Sequence, residues 1–189
     1  CAQIFIVGVP RSGSTLLSAV LNTNSLTKEL GESNALAKSI DSYLRQGASS
    51  ERQDLTAFYN TNTNTNTNEA MPPESITIDK QLYNFMHCAY IANHMPEAKI
   101  IHATRNPLDN ILSMLRSKLT PTHSYTYSAE DCAKVIVQHE LLMKSFKEAF
   151  PTNIYTCSYD NLVSDPQNEI QKLLAWLNWN WSDSYLSFY

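Results

Sequence analysis

The fold is decided by residues 4–17, which read IFIVGVPRSGSTLL. The first four residues are apolar, three of them are β-branched, and they end at Gly8, so they predict a short buried strand. A helical pattern begins at Ser14, with apolar side chains at Leu16, Leu17, Val20 and Leu21. The stretch therefore predicts a strand, a tight loop and a helix.

The loop over residues 8–15 is suited to binding an anion. Gly8 and Gly13 have the spacing of the phosphate-binding loop of nucleotide-binding proteins, in which glycines let backbone N–H groups turn inward. The N-terminus of the following helix adds roughly half a positive charge. The candidate binding residues of this loop are Pro10, Arg11, Ser12, Gly13, Ser14 and Thr15.

One residue of the loop argues against magnesium-dependent ATP chemistry. A nucleoside triphosphatase has Lys at the position of Ser14, and here the cation is Arg11, upstream of it. We therefore expect a loop that binds a phosphate-like group but is poorly built for Mg-ATP. A strand-to-helix turn without a ligand is the alternative.

The remaining sequence alternates between strands and helices. Further strands are predicted over residues 76–78, 99–103 and 153–157, and helices over 35–44, 53–58, 82–94, 107–117, 128–150 and from 165 onward. This alternation predicts an α/β fold, a three-layer sandwich containing a P-loop, with a mostly parallel central sheet flanked by helices. Residues 1–189 are expected to form a single domain, and ligands of such sheets bind at the carboxyl ends of the strands.

Residues 60–68 alternate strictly between Asn and Thr. Such a segment offers no apolar side chain to bury, and both residue types compete for backbone hydrogen bonds outside helices. The sequence predicts a low-complexity loop here, with no assigned function.

Composition excludes several classes of protein. The chain has 189 residues, of which 43% are hydrophobic and 17% charged, so it can bury a core and is not a disordered chain. Its formal net charge of −4 gives no general attraction to nucleic acid or to an anionic membrane. No apolar run reaches the roughly 20 residues of a membrane helix, so neither nucleic acid nor a membrane span is expected.

The four cysteines are expected to be buried free thiols. Cys1, Cys88, Cys132 and Cys157 form no C-x-x-C pair, and no Cys/His spacing suits zinc. Free thiols favour a reducing compartment. The chain begins on a core strand without Met or a signal peptide, so we expect it to be part of a longer protein.

A second candidate anion site follows the strand over residues 99–103. Arg105 comes at the end of this strand, and Ser113 lies two turns along the helix opened by Pro107. A guanidinium and a hydroxyl that converge there suit a second phosphate. An ion pair between Arg105 and Asp109 is the alternative.

These two segments carry a resemblance to a known family. Residues 10–17 resemble the 5′-phosphosulfate loop of sulfotransferases, and residues 105–113 resemble their 3′-phosphate motif. Residues 79–80, 96–102 and 159–166 support the resemblance, which is strongest to tyrosylprotein sulfotransferases and to bacterial sulfotransferase domains that follow tetratricopeptide repeats. It implies 3′-phosphoadenosine 5′-phosphosulfate (PAPS) as cosubstrate, 3′-phosphoadenosine 5′-phosphate (PAP) as product, and no metal.

The resemblance also implies two catalytic residues. Glu32 would take the proton from the acceptor hydroxyl, with its pKa raised by partial burial, and Lys80 would stabilise the leaving phosphate. A helix-capping carboxylate at Glu32 and a plain surface lysine at Lys80 are the alternatives. Tyr159 matches a family position near the cofactor, although core packing also explains it. A histidine base, as in the cytosolic branch, would be His102, which otherwise reads as structural.

Several expectations about partners rest on the same resemblance. The acceptor is a hydroxyl of a small molecule, a glycan, a lipid or a protein tyrosine, and the sequence does not select among them. Family members carry further cofactor contacts in a C-terminal tail that this sequence lacks, and the parent protein is a candidate to contain tetratricopeptide repeats. We expect a cytoplasmic enzyme, or one of a Golgi-type lumen if it is eukaryotic.

Two other functions remain open at this point. A P-loop nucleotide kinase is disfavoured by Ser14 and by the lack of a strand that carries an Asp for magnesium. A non-catalytic nucleotide-binding or scaffold domain would bind the cofactor without turnover.

Overall fold

The computed structural model describes residues 2–46, 53–67, 74–117 and 121–187. The strands are β1 (Ala2–Gly8), β2 (Thr27–Gly31), β3 (Ile76–Asp79), β4 (Lys99–Thr104) and β5 (Ile154–Ser158). The α-helices are α1 (Ser14–Leu21), α2 (Ala35–Arg45), α3 (Leu55–Thr67), α4 (Cys88–His94), α5 (Pro107–Arg116), α6 (Ala129–Ala149), α7 (Tyr159–Ser164) and α8 (Pro166–Leu177). Short 3₁₀ helices cover Leu82–His87, Pro121–Tyr127 and Asp183–Leu186.

The five strands form one sheet in the order β2-β3-β1-β4-β5. All four neighbouring pairs are parallel. The predicted parallel α/β sheet is therefore confirmed, and β1, which carries the phosphate-binding loop, is its central strand.

Helices cover both faces of this sheet because side chains alternate along each strand. On one face, Ile6 and Ile101 pack against α1 and α8. On the other face, Phe5, Val7 and Ile100 pack against α2, α3, α4 and α6. The central strands β1 and β4 are thus buried on both sides, which explains why their apolar runs are almost continuous.

One strand was not predicted. β2 is an edge strand whose residues are all partly or fully exposed, and Lys28 and Glu29 interrupt any apolar run. An edge strand needs no apolar face on the solvent side, so its sequence lacks the usual signal. Its addition places Gly31 beside Asp79 at the end of β3.

The prediction of a loop over the Asn-Thr repeat was wrong where the repeat is described. Helix α3 continues through Thr67, and Asn68 lies outside the described residues. Tertiary contacts decide the conformation: Tyr59 is fully buried next to the repeat, Asn60 accepts a hydrogen bond from Gln3 at 3.2 Å, and Asn62 donates one to Ser39 at 2.9 Å. Polar side chains that find such partners no longer compete with the helix.

Three of the four cysteines lie in the described part of the chain. Cys88, Cys132 and Cys157 are free and buried, as predicted, and Cys1 lies outside the described residues. Burial raises the pKa of the Cys88 and Cys157 thiols to about 12, so neither is a reactive thiolate. Among the described residues, no helix is both long and apolar enough to cross a bilayer.

Candidate active site

A candidate site residue follows each strand of the sheet at its carboxyl end. In sheet order these are Glu32 after β2, Lys80 after β3, the loop over residues 9–13 after β1, Arg105 after β4 and Tyr159 after β5. Because all the strands are parallel, the five positions meet at one edge of the sheet. The sequence-predicted residues are therefore brought to the edge where α/β proteins bind ligands.

The phosphate-binding loop depends on two close approaches. A Cβ at Gly8 would lie 2.8 Å from the carbonyl oxygen of Ala103 and 2.9 Å from Oγ of Ser12, so only glycine fits there. Gly13 has a φ of 96°, and a Cβ on it would lie 2.4 Å from Cδ2 of Tyr159. The loop is thus packed against β4 and against the start of α7.

The loop and its neighbours enclose a pocket of about 430 Å³. Its lining residues are Arg11, Gly13, Ser14, Thr15, Leu16, Ala19, Arg105 and Tyr159. The N-terminus of α1 lies at this pocket, because Ser14 is the first residue of the helix. Backbone N–H groups of the first helical turn and the guanidinium groups of Arg11 and Arg105 therefore line the same pocket. This arrangement suits a ligand with more than one negative group.

Two polar atoms at the site lie buried without a hydrogen-bond partner among the described residues. They are Oγ of Ser12 and Nε of Arg105. A buried polar atom without a partner is costly, and such atoms concentrate at ligand sites. The residues present therefore fit an anionic ligand.

Arg105 is held in place by two contacts. Its Nη1 donates to the carbonyl oxygen of Arg11 at 3.4 Å, and its guanidinium carbon lies 4.6 Å from the centre of the Tyr159 ring. In the described part of the chain Arg105 makes no ion pair with Asp109. The alternative of a surface ion pair is therefore not what the structure shows.

Ser113 lies at the same site, but its contact differs from the prediction. We expected its hydroxyl to converge with Arg105, and instead it accepts a hydrogen bond from Nε of Arg11 at 3.1 Å. Arg11 has a φ of 68°, which turns its side chain across the loop towards α5. Because Nη1 of Arg105 also donates to the carbonyl oxygen of Arg11, the two arginines are neighbours, and an anion beside them would offset their mutual repulsion.

Three further residues support the site and were missed from the sequence. Nδ2 of Asn110, a buried residue of α5, donates to the carbonyl oxygen of Pro10 at 2.8 Å. Asn106 caps α5 with its side chain and donates its backbone N–H to Asp160 at 2.6 Å. Nothing in the sequence distinguishes Asn110 from Asp109 and Ser113, the other polar residues of the same helix, so its role is visible only in the structure.

Lys80 is partly buried and paired. Its Nζ lies 3.2 Å from Oε1 of Glu29, with 18% of the lysine side chain exposed. Its backbone N–H donates to the carbonyl oxygen of Gly31 at 2.9 Å, which ties the end of β3 to the end of β2. Burial and pairing do not fit a plain surface lysine.

The residue before Lys80 anchors the turn, and it corrects one expectation: β3 ends in an Asp, so the argument that no strand carries an Asp for magnesium was wrong. Asp79 is fully buried and accepts hydrogen bonds from the Tyr59 hydroxyl at 2.9 Å, the Gln81 backbone N–H at 2.9 Å and Asn84 at 3.2 Å. Burial raises the pKa of Asp79 from 3.8 to about 6 despite these bonds. The network fixes the backbone that presents Lys80.

Glu32 lies at the end of β2 and is exposed, so the partial burial that we expected is not found. The backbone N–H of Ala35 bonds to Oγ of Ser33 at 3.0 Å, so Ser33 supplies the start of α2 with its hydrogen bond. Burial raises the pKa of Tyr83, and the negative charge of Glu32 raises it further. Glu32 is therefore an exposed carboxylate close enough to Tyr83 to act on it electrostatically.

His102 lies on the other side of the sheet from α1. It shares a face with its register partner Val7, whereas Ala103 points to the opposite face, towards α1. Its Nε2 contacts Nε2 of His139 at 2.9 Å. The structure thus places His102 in a separate cluster and not among the pocket residues.

Comparison of the sequence with known proteins relates the chain to sulfotransferases. The model of the sulfotransferase family matches residues 3–183. A curated relative, protein-tyrosine sulfotransferase 1 of Danio rerio, is 24% identical over 199 residues, which cover 97% of this chain and 55% of the relative. The chain spans 26%, 55% and 53% of the length of three curated relatives that it matches, which is about a quarter to about half.

Solved structures agree on the fold. The sulfotransferase domain of the Synechococcus PCC 7002 olefin synthase aligns with a TM-score of 0.65 and 20% identity, over 100% of this chain and 77% of that one. Mouse sulfotransferase SULT7A1, solved in complex with PAP, aligns with a TM-score of 0.62 and 18% identity, over 98% of this chain and 61% of that one.

Proposed function

The chain belongs to the sulfotransferase family, and from this premise we propose that it transfers a sulfuryl group from PAPS to an acceptor hydroxyl and releases PAP. One observation carries the proposal: one pocket is lined by both the glycine loop and Arg105, whose Nε is buried with no hydrogen-bond partner in the described part of the chain. A nucleotide with charged groups at both ends matches this combination.

The proposed binding mode divides the pocket between the two ends of PAPS. The N–H groups of the loop, with Ser12, Ser14 and Thr15, would hold the 5′-phosphosulfate at the N-terminus of α1. Arg105 would bind the 3′-phosphate, and Ser113 would reach it beside Arg11. Tyr159 would orient Arg105 through the contact between its ring and the guanidinium.

The proposed chemistry is an in-line displacement at sulfur. The acceptor oxygen forms a bond to sulfur while the bond between sulfur and the bridging phosphate oxygen breaks. Glu32 takes the proton of the acceptor hydroxyl, and its exposed position beside Tyr83 leaves room for an acceptor. Lys80 stabilises the negative charge that develops on the leaving phosphate, and Glu29 orients its ammonium group.

The proposed reaction requires an acceptor that carries a hydroxyl group. The residues around Glu32 would determine which molecule carries it. A small molecule, a glycan, a lipid and a protein tyrosine all present the required hydroxyl. Ser33, Asn34 and Ala35 follow Glu32, so no cation there selects an acidic peptide. We further propose a cytoplasmic enzyme that acts without nucleic acid and without a metal in the transfer step, within a longer chain that carries tetratricopeptide repeats.

The proposal is tested by following both products. The intact protein is incubated with PAPS carrying labelled sulfur and with a panel of phenols, sugars, lipids and tyrosine peptides. We expect acceptor-dependent release of PAP and label on one acceptor class, both lost in Lys80→Ala. Turnover of Mg-ATP in place of PAPS would favour a kinase, and PAP binding without turnover on any acceptor would favour a non-catalytic domain.

A further inference from the structure

A cluster of three potential metal ligands lies between β4 and α6. Nε2 of His102 is 2.9 Å from Nε2 of His139 and 3.5 Å from Oε1 of Glu140. All three ligand atoms lie within 4.8 Å of one another. Two imidazoles and one carboxylate thus lie close together.

These separations approach those around a tetrahedral ion. Zinc bonds to nitrogen and oxygen are about 2.0–2.2 Å long, so neighbouring ligand atoms lie about 3.3 Å apart in a tetrahedron. The two distances made by Nε2 of His102 bracket this value. The two imidazole nitrogens have to separate by a few tenths of an ångström, and Glu140, about half of whose side chain is exposed, has to turn towards the ion.

We propose that His102, His139 and Glu140 bind one divalent transition metal ion of the zinc class. Imidazole nitrogen is a preferred ligand of such ions, and the carboxylate offsets part of the ionic charge. Three protein ligands leave one position of a tetrahedral ion for water or another small ligand. His102 and Glu140, but not His139, border a cavity of about 370 Å³ that is also lined by Thr156, Lys144 and Lys147. This cavity gives an ion a path of entry, against the repulsion of the two ammonium groups.

The surroundings hold the two imidazoles in place. His102 and His139 are only 4% and 3% exposed, and the Phe85 ring packs edge-on against His139 at 4.5 Å between centroids. Nδ1 of His139 has no hydrogen-bond partner among the described residues, so the Phe85 ring and the contact at Nε2 orient this imidazole. Ligands that are already fixed lose little entropy when they bind an ion.

A hydrogen bond between the two histidines is the competing explanation. It accounts for the 2.9 Å contact, because one Nε2–H can donate to the other Nε2. The same Nε2–H of His102 can also point towards Oε1 of Glu140 at 3.5 Å, so hydrogen bonding alone accounts for the position of all three side chains. The two explanations differ in whether Glu140 matters for binding an ion.

The site is separate from the proposed PAPS pocket and does not rest on the proposed function. His102 and the α1 helix lie on opposite faces of the sheet. An ion there would link β4, whose end carries Arg105, to the long helix α6. Its expected effect is to stabilise the fold, with no part in sulfuryl transfer.

The test is a titration of the tag-free, metal-free protein with Co²⁺, a coloured substitute for zinc. We expect saturation at one ion per chain, the intense visible absorption of four-coordinate cobalt, displacement by Zn²⁺, and a higher Tm with metal. Glu140→Gln should weaken binding at least about tenfold, the lower end of the loss seen for groups supporting a metal site. Glu148→Gln, an exposed acid of the same helix, is the matched control and should bind as the parent does.

His139→Ala should abolish binding, with circular dichroism checking that the variant is folded. If that variant unfolds, Glu140→Gln decides the matter alone, because its half-exposed side chain is not needed for the core. The proposal is overturned if no saturable binding occurs, or if Glu140→Gln binds cobalt as tightly as Glu148→Gln does. That result would leave a histidine–histidine hydrogen bond as the role of the cluster.

Discussion

The guanidinium of Arg105 lies over the ring of Tyr159, with 4.6 Å between its central carbon and the ring centroid. The same ring fills the space in which Gly13 would carry a Cβ. Tyr159 therefore couples the glycine loop after β1 to the arginine after β4. Any change that moves this ring is expected to disturb both ends of the proposed cofactor site.

Gly13→Ala should destabilise the protein and weaken PAP binding. The new Cβ would meet Tyr159 at 2.4 Å with φ at 96°, so strain and overpacking together should cost about 2–5 kcal/mol. Gly31→Ala is the matched control, because φ is 66° and no atom lies within 4 Å of the added Cβ. It should lose only about 1–2 kcal/mol, with PAP affinity intact. Equal losses in the two denaturation curves would show that the contact with Tyr159 is unimportant.

Arg105→Ala should weaken PAP binding by about 1.5–3 kcal/mol, the value of a hydrogen bond to a charged group. The loss should be much smaller for adenosine 5′-phosphosulfate, which lacks the 3′-phosphate. Arg116→Ala, an exposed arginine of α5, serves as the control and should leave both affinities unchanged. Calorimetry with the two nucleotides measures the difference. If Arg105→Ala loses affinity equally for both, the residue does not bind the 3′-phosphate.

Glu32→Gln should lower turnover by about 10²–10⁴, the usual contribution of a general base. PAP affinity and the unfolding free energy should stay close to those of the parent, because Glu32 is exposed and Ser33 bonds to the start of α2. Ser33→Ala is the complementary variant: it should lose about 0.5–2 kcal/mol of stability and keep its turnover. Rates and melting curves on the same samples separate the two roles, and a normal rate in Glu32→Gln would remove this residue from the mechanism.

Asp79 should make stability depend on pH. Its folded pKa of about 6 lies above its ordinary 3.8, so its stabilising contribution is complete below about pH 4 and is lost as pH rises through 6. Between pH 4 and 7 the parent should lose about 3 kcal/mol relative to Asp79→Asn, since one pKa unit equals about 1.4 kcal/mol. Urea denaturation across this range measures both proteins. Parallel pH profiles would show that Asp79 has an ordinary pKa.

The sequence predicted the parts of the fold that local pattern controls. β1 and β4 are buried on both faces, so each has a nearly continuous apolar run from which the strand can be predicted. The edge strand β2 carries Lys28 and Glu29 and gave no such signal. The Asn-Thr repeat is helical because Asn60 and Asn62 find partners on β1 and α2, which no local pattern contains.

In the candidate site, too, the residues next to strand ends could be predicted from local sequence, whereas the contacts between distant residues could not. The loop and Arg105 were predicted because each follows directly from a strand end. The contact between Arg11 and Ser113 joins residues 102 positions apart, and that between Asn110 and Pro10 joins residues 100 apart. Such contacts depend on how α5 packs on the loop, so a single sequence does not reveal them.

The most direct test of the central claim compares two ligands on the intact protein, PAP alone and ATP with magnesium. In the proposed binding mode the loop and Arg105 hold two separate phosphates, and Ser14 stands where a lysine would hold ATP. We expect PAP at 100 times its Kd to stabilise the protein by about 2.7 kcal/mol, and Mg-ATP at the same concentration to do much less. An equal or larger shift in Tm with Mg-ATP would contradict the assignment as a PAPS-dependent sulfotransferase.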